Sequence, residues 1–323
     1  MKKRYIGFLF LLLLLCPCFT VHTASAASPV AKWGRLQVKG TQIVSDKGKK
    51  VQLKGVSTHG IAWFPQYVNK SSFASMKRMG ANTIRLAFYS DPAAGYDAGL
   101  YKKVEEGIQA ATGLGMYVVL DWHILSDGNP KKNQSKAKAF FKKMSNKYRK
   151  EKHVFYEICN EPNGGVQWKT IKSYAKSVIK VIRKADKNAV VIVGTPTWSQ
   201  DVDMAAKSPL KGKNIMYAFH FYAATHGDDL RAKVNAALRI KLPLFCSEFS
   251  ACDASGNGNY DFSSANKWIS LMNRNKISYC CWSLSNKPES ASLLKSSCKK
   301  TSGFKTSDLS KMGRYIVKKY RKK

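Results

Sequence analysis

The chain has 323 residues, with 55 Lys and Arg against 20 Asp and Glu and a formal net charge of +35 at pH 7. With 44% of its residues hydrophobic, 22 Gly and 10 Pro, it can build a full core and is not disordered, collagen-like or low in complexity. Its length suits two ordinary domains or one α/β barrel of roughly 250 residues.

Residues 1–27 read as a signal peptide. Lys2, Lys3 and Arg4 precede an apolar run from Ile6 to Cys16, and the segment ends in Ala24-Ser-Ala-Ala, which is the basic, apolar and small-residue order of a secretory leader. The run is too short to span a bilayer, and Leu15 before Cys16 is too large for a lipidation site. A secreted, extracellular protein with no membrane anchor is therefore expected. Cleavage after Ala27 leaves 296 residues and removes three cations, lowering the charge to +32. Residues 28–323 then read as a single domain with no linker or added binding module. Secretion permits disulfides, but six remaining cysteines are too few for a disulfide scaffold.

A small β element comes first, with short strands around 36–44 and 51–55 and Gly-containing turns between them. Apolar runs of strand length then recur at 51–57, 83–88, 117–122, 154–160, 190–194, 215–222, 243–248 and 277–284. Most are almost continuously apolar, as in parallel strands buried on both faces. Helical periodicity fills the gaps at 69–80, 101–114, 135–150, 168–185, 228–241 and 263–276, with a weaker helix at 201–207 and a last one at 308–320. No Gly-rich fingerprint follows the first strand, so an open doubly wound sheet is disfavoured. Eight strands alternating with eight helices predict an α/β fold, a closed (β/α)8 TIM barrel with a short N-terminal β element.

In such a barrel the active site lies at the C-terminal strand ends. Glu105, Glu106 and Glu151 sit among helical lysines and read as solvated, while Glu157, inside the fourth strand, reads as part of an ion pair within the barrel. Glu161 and Glu248 each close an apolar strand, where a carboxylate is costly unless something compensates it. Two carboxylates at strand ends four and seven face one cleft. That arrangement serves glycoside hydrolysis, in which one acid protonates the leaving oxygen and the other attacks or activates water. Arg85, His123, Asn160, His220, Tyr222 and Trp282 also fall at strand ends and suit a sugar site, where aromatic faces stack on pyranoses and polar groups bind hydroxyls.

Several ordered stretches make the match more specific: Val51-Gln-Leu-Lys-Gly-Val-Ser-Thr-His-Gly, Asp121-Trp-His-Ile-Leu-Ser-Asp-Gly-Asn-Pro, Tyr156-Glu-Ile-Cys-Asn-Glu-Pro-Asn-Gly, Gly194-Thr-Pro-Thr-Trp-Ser-Gln-Asp-Val, Tyr217-Ala-Phe-His-Phe-Tyr-Ala-Ala-Thr-His-Gly, Asp253-Ala-Ser-Gly-Asn-Gly and Trp282-Ser-Leu-Ser-Asn-Lys-Pro-Glu-Ser. From about residue 35 onward the sequence resembles the family 5 glycoside hydrolases, in particular their secreted bacterial-type endoglucanases (cellulases). The resemblance implies a retaining endo-β-1,4-glucanase acting on cellulose and related β-glucans, with Glu161 as acid/base and Glu248 as nucleophile. It gives Asn160 the 2-hydroxyl of the reacting sugar and Tyr222 a hydrogen bond to Glu248. Arg85 places a cation beside Glu248, which favours its charged form. His123 and His220 position sugar and carboxylates, and Trp282 stacks under the sugar before the scissile bond. His59, Trp63, Tyr89, Lys287 and Glu289 match donor-side contacts, and Trp198 matches an acceptor-side platform. A related retaining β-glucan, mannan or xylan hydrolase is the alternative.

The sequence departs from the family pattern at Phe249, where Trp is usual, and at Cys159, Cys246 and Cys280. Alternation from Glu161, Glu248 and Trp282 points all three thiols inward, where they read as small hydrophobes. Cys252 and Cys298 fall in loops leaving neighbouring strands and are expected to form a disulfide. No Cys/His spacing suggests a metal site, and no cofactor is implied. The lysines are spread over nearly every helix without a nucleic-acid motif, so nucleic acid is not an expected partner. The charge suggests electrostatic binding to acidic polysaccharide instead. A monomer is expected.

Overall fold

The computed structural model describes residue 1 and residues 27–321. The signal-peptide reading, apart from its ends, lies outside the described residues. After a short helix, α1 (Pro29–Trp33), three short strands, β1 (Gln37–Lys39), β2 (Gln42–Val44) and β3 (Lys50–Val51), form an antiparallel sheet. Eight parallel strands follow and close on themselves: β4 (Lys54–Thr58), β5 (Thr83–Tyr89), β6 (Tyr117–His123), β7 (Val154–Glu157), β8 (Val191–Val193), β9 (Ile215–Tyr222), β10 (Leu244–Ser250) and β11 (Ser278–Leu284). Helices α2 (Lys70–Arg78), α3 (Tyr101–Thr112), α4 (Gln134–Tyr148), α5 (Trp168–Ala185), α6 (Pro196–Ser199), α7 (Val202–Lys207), α8 (Asp228–Arg239), α9 (Phe262–Arg274) and α10 (Lys311–Arg321) complete the chain. This is the (β/α)8 barrel that the alternation of strand and helix predicts.

The periodicities explain the layers. Along α5, Ile171, Tyr174, Ala175, Val178 and Ile182 are buried at three- and four-residue spacing, one apolar stripe against the sheet. At the start of α2 the Asn69 side chain accepts from Ser72 N at 2.8 Å, capping an otherwise unpaired donor. Strand residues alternate between two cores. Val119, Phe155, Ile192, Met216, Ala218 and Phe245 fill the barrel interior, and Leu36, Ile43 and Val51 from the N-terminal sheet pack against them. The second core lies between strands and helices. The small sheet therefore plugs one end of the barrel and leaves the other end for chemistry.

Some expectations need correction. The strand register of β10 shifts between Phe245 and Glu248. Phe245 and Glu248 are both inner residues, while Cys246 belongs to the helix-side core. The bulge breaks the two-residue alternation that pointed Cys246 inward. β7 ends at Glu157, so alternation counted back from Glu161 also fails, and Cys159 packs in the helix-side core. Cys280 alone of the three faces the barrel interior. The Cys252–Cys298 disulfide is not formed, and both thiols are free. Cys252 packs with Ala87, Tyr222, Trp282 and Ala291 and donates to Ser250 Oγ at 3.3 Å, whereas Cys298 lies in the helix-side core. The two sulfurs are thus satisfied in separate apolar clusters, and burial pushes the Cys252 thiol up to about 11. The short helices α1 and α6 were absent from the sequence pattern.

The loop after β7 rests directly on β8. Gly194 N donates to Cys159 O at 3.1 Å, and a Cβ on Gly194 would lie 2.3 Å from that oxygen and 2.9 Å from Asn160 O. Only glycine fits this approach of two backbones. Gly194→Ala is expected to lower stability by about 1–3 kcal/mol through overpacking, read as a lower urea midpoint. An unchanged midpoint would show that the Asn160–Glu161 turn can move aside.

Candidate active site

Residues at or just beyond the C-terminal ends of all eight barrel strands line one cleft of about 580 Å³, within the size range of small-molecule sites. Glu161 is placed by the turn after β7, where its N–H donates to Ile124 O at 3.3 Å and Asn160 N–H donates to Trp122 O at 3.2 Å. Glu248 comes from β10 just beyond the bulge, in register with His220 of β9. One carboxylate oxygen from each glutamate and a ring nitrogen of His220 all lie within 4.8 Å of one another.

Beneath them Arg85 of β5 is fully buried. Its Nε donates to Glu157 Oε2 at 2.7 Å, its Nη1 to Glu248 Oε2 at 3.1 Å, and its Nη2 to Asn160 Oδ1 at 2.6 Å. Asp121 Oδ2 lies 3.0 Å from Nη2. Burial opposes the charge, but Asp121, Glu157 and Glu248 outweigh it and hold the guanidinium well above its ordinary value. The ion pair expected for Glu157 is therefore made with Arg85. Burial raises the Glu157 carboxyl, yet Arg85 and His220 overcome it and bring the value down to about 2. Burial pushes Asp121 well up, supported by Glu157 and Glu248 and opposed by Arg85.

The two floor histidines go in opposite directions. His123 Nδ1 lies 2.7 Å from Asp121 Oδ2, and its Nε2 faces Asn160 Nδ2 at 3.3 Å. Burial, then the nearby Arg85, lowers it to about 3, so the ring is neutral and accepts from Asn160. His220 Nδ1 lies 2.8 Å from Glu161 Oε1, and Nε2 lies 2.8 Å from Ser247 Oγ, which donates to Glu157 Oε1 at 2.6 Å. A serine that donates its only proton to Glu157 must accept from His220. Burial lowers His220, but the carboxylates Glu157 and Glu161 prevail and raise it to about 9. It is an imidazolium at neutral pH. Tyr222 donates its hydroxyl to Glu248 Oε1 at 2.8 Å.

His59, Tyr89, Trp198, Trp282, Lys287 and Glu289 line the same cleft. Trp282 stacks on His123 with ring centroids 5.2 Å apart, and it is joined to Ser283 by a cis peptide bond. Lys287 Nζ lies 2.5 Å from Glu289 Oε2, and burial, then Lys287, lowers His59 to about 3. Trp198 is 46% exposed on a turn whose Thr197, Trp198 and Ser199 all have left-handed φ near 55°. That turn is tied to the β7 loop, since Trp198 N donates to Pro162 O at 3.0 Å and Ser199 Oγ to Asn160 O at 2.6 Å. Trp63 is the exception. It is not among the cleft-lining residues, stands 57% exposed, and its indole donates to Ala94 O at 3.1 Å. Ser247, Gln200, His226 and Ser255 are site residues that the sequence reading passed over. The quoted motifs contain the last three, but Ser247 faces the site only because of the bulge.

The sequence matches the family described as Cellulase (glycosyl hydrolase family 5) over residues 44–288. An endoglucanase of Clostridium saccharobutylicum is 42% identical over 320 residues, covering 96% of this chain and 71% of that protein. Endoglucanase 5 of Pectobacterium carotovorum is 41% identical, covering 91% of this chain and 59% of that protein. Among solved structures, the Thermobifida fusca endoglucanase catalytic domain in complex with cellotetraose aligns with a TM-score of 0.87 at 37% identity, over 92% of this chain and all of that one.

Nitrogen NMR of the imidazoles checks the charge assignment. His220 is expected to keep both ring N–H groups up to about pH 9 and His123 to stay neutral down to about pH 3. In Ser247→Ala the His220 value is expected to fall, because Nε2 loses the acceptor that ties it to Glu157. The raised His220 value contributes stability that is full below its unfolded value of 6.5 and lost as pH rises through about 9. Glu157, lowered to about 2, contributes stability that is full above 4.5 and lost as pH falls through about 2. His123 adds to the acid-side loss below pH 6.5, since the unfolded ring takes up its proton first. Urea midpoints that stayed flat from pH 6.5 to 9.5 would contradict a charged His220.

Proposed function

The chain belongs to glycosyl hydrolase family 5, a family of hydrolases, and within it we propose that this protein is a retaining endo-β-1,4-glucanase. The reading rests on one observation above the others: Glu161 and Glu248 present carboxylate oxygens within 4.8 Å of each other across the floor of an open cleft. Retaining glycosidases hold their carboxyl groups about 5–5.5 Å apart, while inverting ones need about 6.5–9.5 Å to admit a water between acid and base.

Glu248 is the nucleophile. Tyr222 and Arg85 each donate to one of its oxygens, which fixes the carboxylate for attack on the anomeric carbon. Glu161 is the acid/base. It gives its proton to the leaving glycosidic oxygen, the bond from sugar to that oxygen breaks, and a covalent glycosyl-enzyme on Glu248 forms. Glu161 then takes a proton from the incoming water, whose oxygen displaces Glu248 with net retention. Trp282 and Trp198 line the same cleft as the two carboxylates, and such aromatic faces suit stacking on the pyranose rings of a linear glucan. The complex of the Thermobifida domain with cellotetraose supports a β-glucan as substrate. The leader read in residues 1–27 would export the enzyme to that polymer.

Reducing ends released from a soluble cellulose derivative, with a rapid drop in its viscosity, are the expected activity. Glu161→Gln and Glu248→Gln are each expected to lower turnover by roughly 10²–10⁴-fold or more while unfolding midpoints stay near that of the parent. Azide is expected to restore turnover of an activated substrate by Glu161→Gln with retained configuration. Retained products from azide-treated Glu248→Gln, and none from Glu161→Gln, would reverse the two roles. An inverted first product of the parent enzyme would exclude double displacement.

A further inference from the structure

Helices α4 and α5 lie side by side on the flank of the barrel and carry eleven Lys and Arg without a single Asp or Glu. On α4, Lys136 lies over the Tyr96 ring, Lys143 lies over Tyr101, and Lys143 and Lys147 reach Glu105 of α3. These three serve the α3 side. On α5 the cations form one stripe. Lys169, Lys172, Lys176, Lys180 and Arg183 follow at three- and four-residue steps, so they share a face and recur every ~4.5–6 Å along the axis. Lys169, Lys176 and Lys180 are exposed. Beside the first turns of the stripe lies a groove of about 540 Å³ walled by Trp168, Lys169, Lys172, Ser173, Lys176 and Ser208. Its floor is already built, because Trp168 Nε1 donates to Ser208 O at 2.9 Å and Lys172 Nζ to Ser208 Oγ at 2.7 Å.

We propose that the α5 stripe and this groove form a second carbohydrate-binding site for a linear polyuronate, an acidic polysaccharide with one carboxylate per sugar. The proposal rests on the reading of the cleft as a polysaccharide hydrolase site and gives the enzyme a hold on an acidic matrix around a neutral substrate. A straight row of single positive charges complements a polymer with regularly spaced single negative charges. At about 540 Å³ the groove has the volume for a sugar ring, and Ser173 and Ser208 offer hydroxyls to its polar groups. Other polyanions fit less well. Single-stranded nucleic acid needs exposed rings to stack its bases, and Trp168 is only 6% exposed and packed on Tyr217. Insertion into an anionic membrane needs apolar side chains on the outer face, and among the described residues no large exposed hydrophobic lies on α4 or α5.

The test compares three proteins: the parent, a stripe variant carrying Lys169→Gln, Lys172→Gln, Lys176→Gln and Lys180→Gln, and a control carrying Lys39→Gln, Lys47→Gln, Lys49→Gln and Lys50→Gln. The two variants have the same net charge. Binding to polygalacturonate is measured across a salt series, with a single-stranded oligonucleotide and phosphatidylserine vesicles as competing probes. The stripe variant is expected to bind polygalacturonate ~10-fold or more weakly, with a shallower salt dependence, while the control stays near the parent. Equal losses in both variants would mean that diffuse charge binds the polymer, and the site would fall. Tighter binding of the parent to the oligonucleotide or the vesicles would overturn the polyuronate assignment. Hydrolysis of a soluble neutral glucan is expected to be unchanged in all three. Its absence from the parent would overturn the glucanase reading and leave the binding comparison intact.

Discussion

The floor of the cleft depends on one buried cation. Arg85 has no exposed surface, and its guanidinium meets Glu157, Glu248, Asn160 and Asp121. Taking such a charge from water costs several kcal/mol, which only well-placed partners offset. The barrel provides them because β5, β6, β7 and β10 all turn side chains into the same small interior. The dependence also runs the other way. Without Arg85, three carboxyl groups and an asparagine would face one another on a buried floor, where breaking a buried pair is strongly destabilising. The arginine that fixes the nucleophile is thus also the one that lets the fold hold acids in its core.

A second path connects the two glutamates of the cleft. Glu161 meets His220, His220 meets Ser247, Ser247 meets Glu157, and Glu157 meets Arg85, which reaches Glu248. Each link is a hydrogen bond with a charged partner on at least one side, the stronger class of such bonds. His123 and His220 are both buried, yet one is driven down and the other up. The difference lies in what surrounds them. His220 touches Glu161 directly and Glu157 through a serine, while the acid that His123 touches, Asp121, is itself pushed up toward its neutral form by burial, and His123 lies near the cation of Arg85. Burial alone would neutralise both, so the carboxylate neighbours decide the outcome.

Much of the architecture was legible in the residues because buried parallel strands and amphipathic helices leave strong periodic signals. The cleft positions of Glu161 and Glu248 were legible because a carboxylate that closes an apolar run stands out, although β7 stops at Glu157 and β10 runs on to Ser250. What failed were inferences that assumed an unbroken strand. A bulge has no composition of its own, so Cys246 was pointed inward and Ser247 was overlooked. The cysteine pairing failed because nearness of two loops along a barrel rim does not place two sulfurs in one cluster. The turn at Trp198 was hidden for a different reason. Three consecutive non-glycine residues in left-handed backbone are intrinsically costly, and only tertiary hydrogen bonds to the β7 loop make that conformation readable.

The same arrangement bears on the charge of the whole molecule. Of the 20 acids, Asp121, Glu157, Glu161, Glu248 and Glu289 lie in or beneath the cleft, while among the described residues Arg85 and Lys287 are the Lys and Arg that accompany them there. The chemistry therefore draws negative charge inward, and the outer surface is more basic than the formal total suggests. Inside the cleft Arg85 and the imidazolium of His220 offset part of the charge of the nearest carboxylates, and a neutral sugar carries no net charge for the remaining field to attract or repel. Outside, Glu105 of α3 pairs with Lys143 and Lys147 of α4, but no Asp or Glu within α5 interrupts its stripe of cations. Low-dielectric barrel walls separate the two regions, and salt at 0.1 M screens exposed charges beyond about 10 Å. Attraction of a polyanion to the flank and turnover of a neutral chain in the cleft can therefore vary independently, because the fold has partitioned its charges between them.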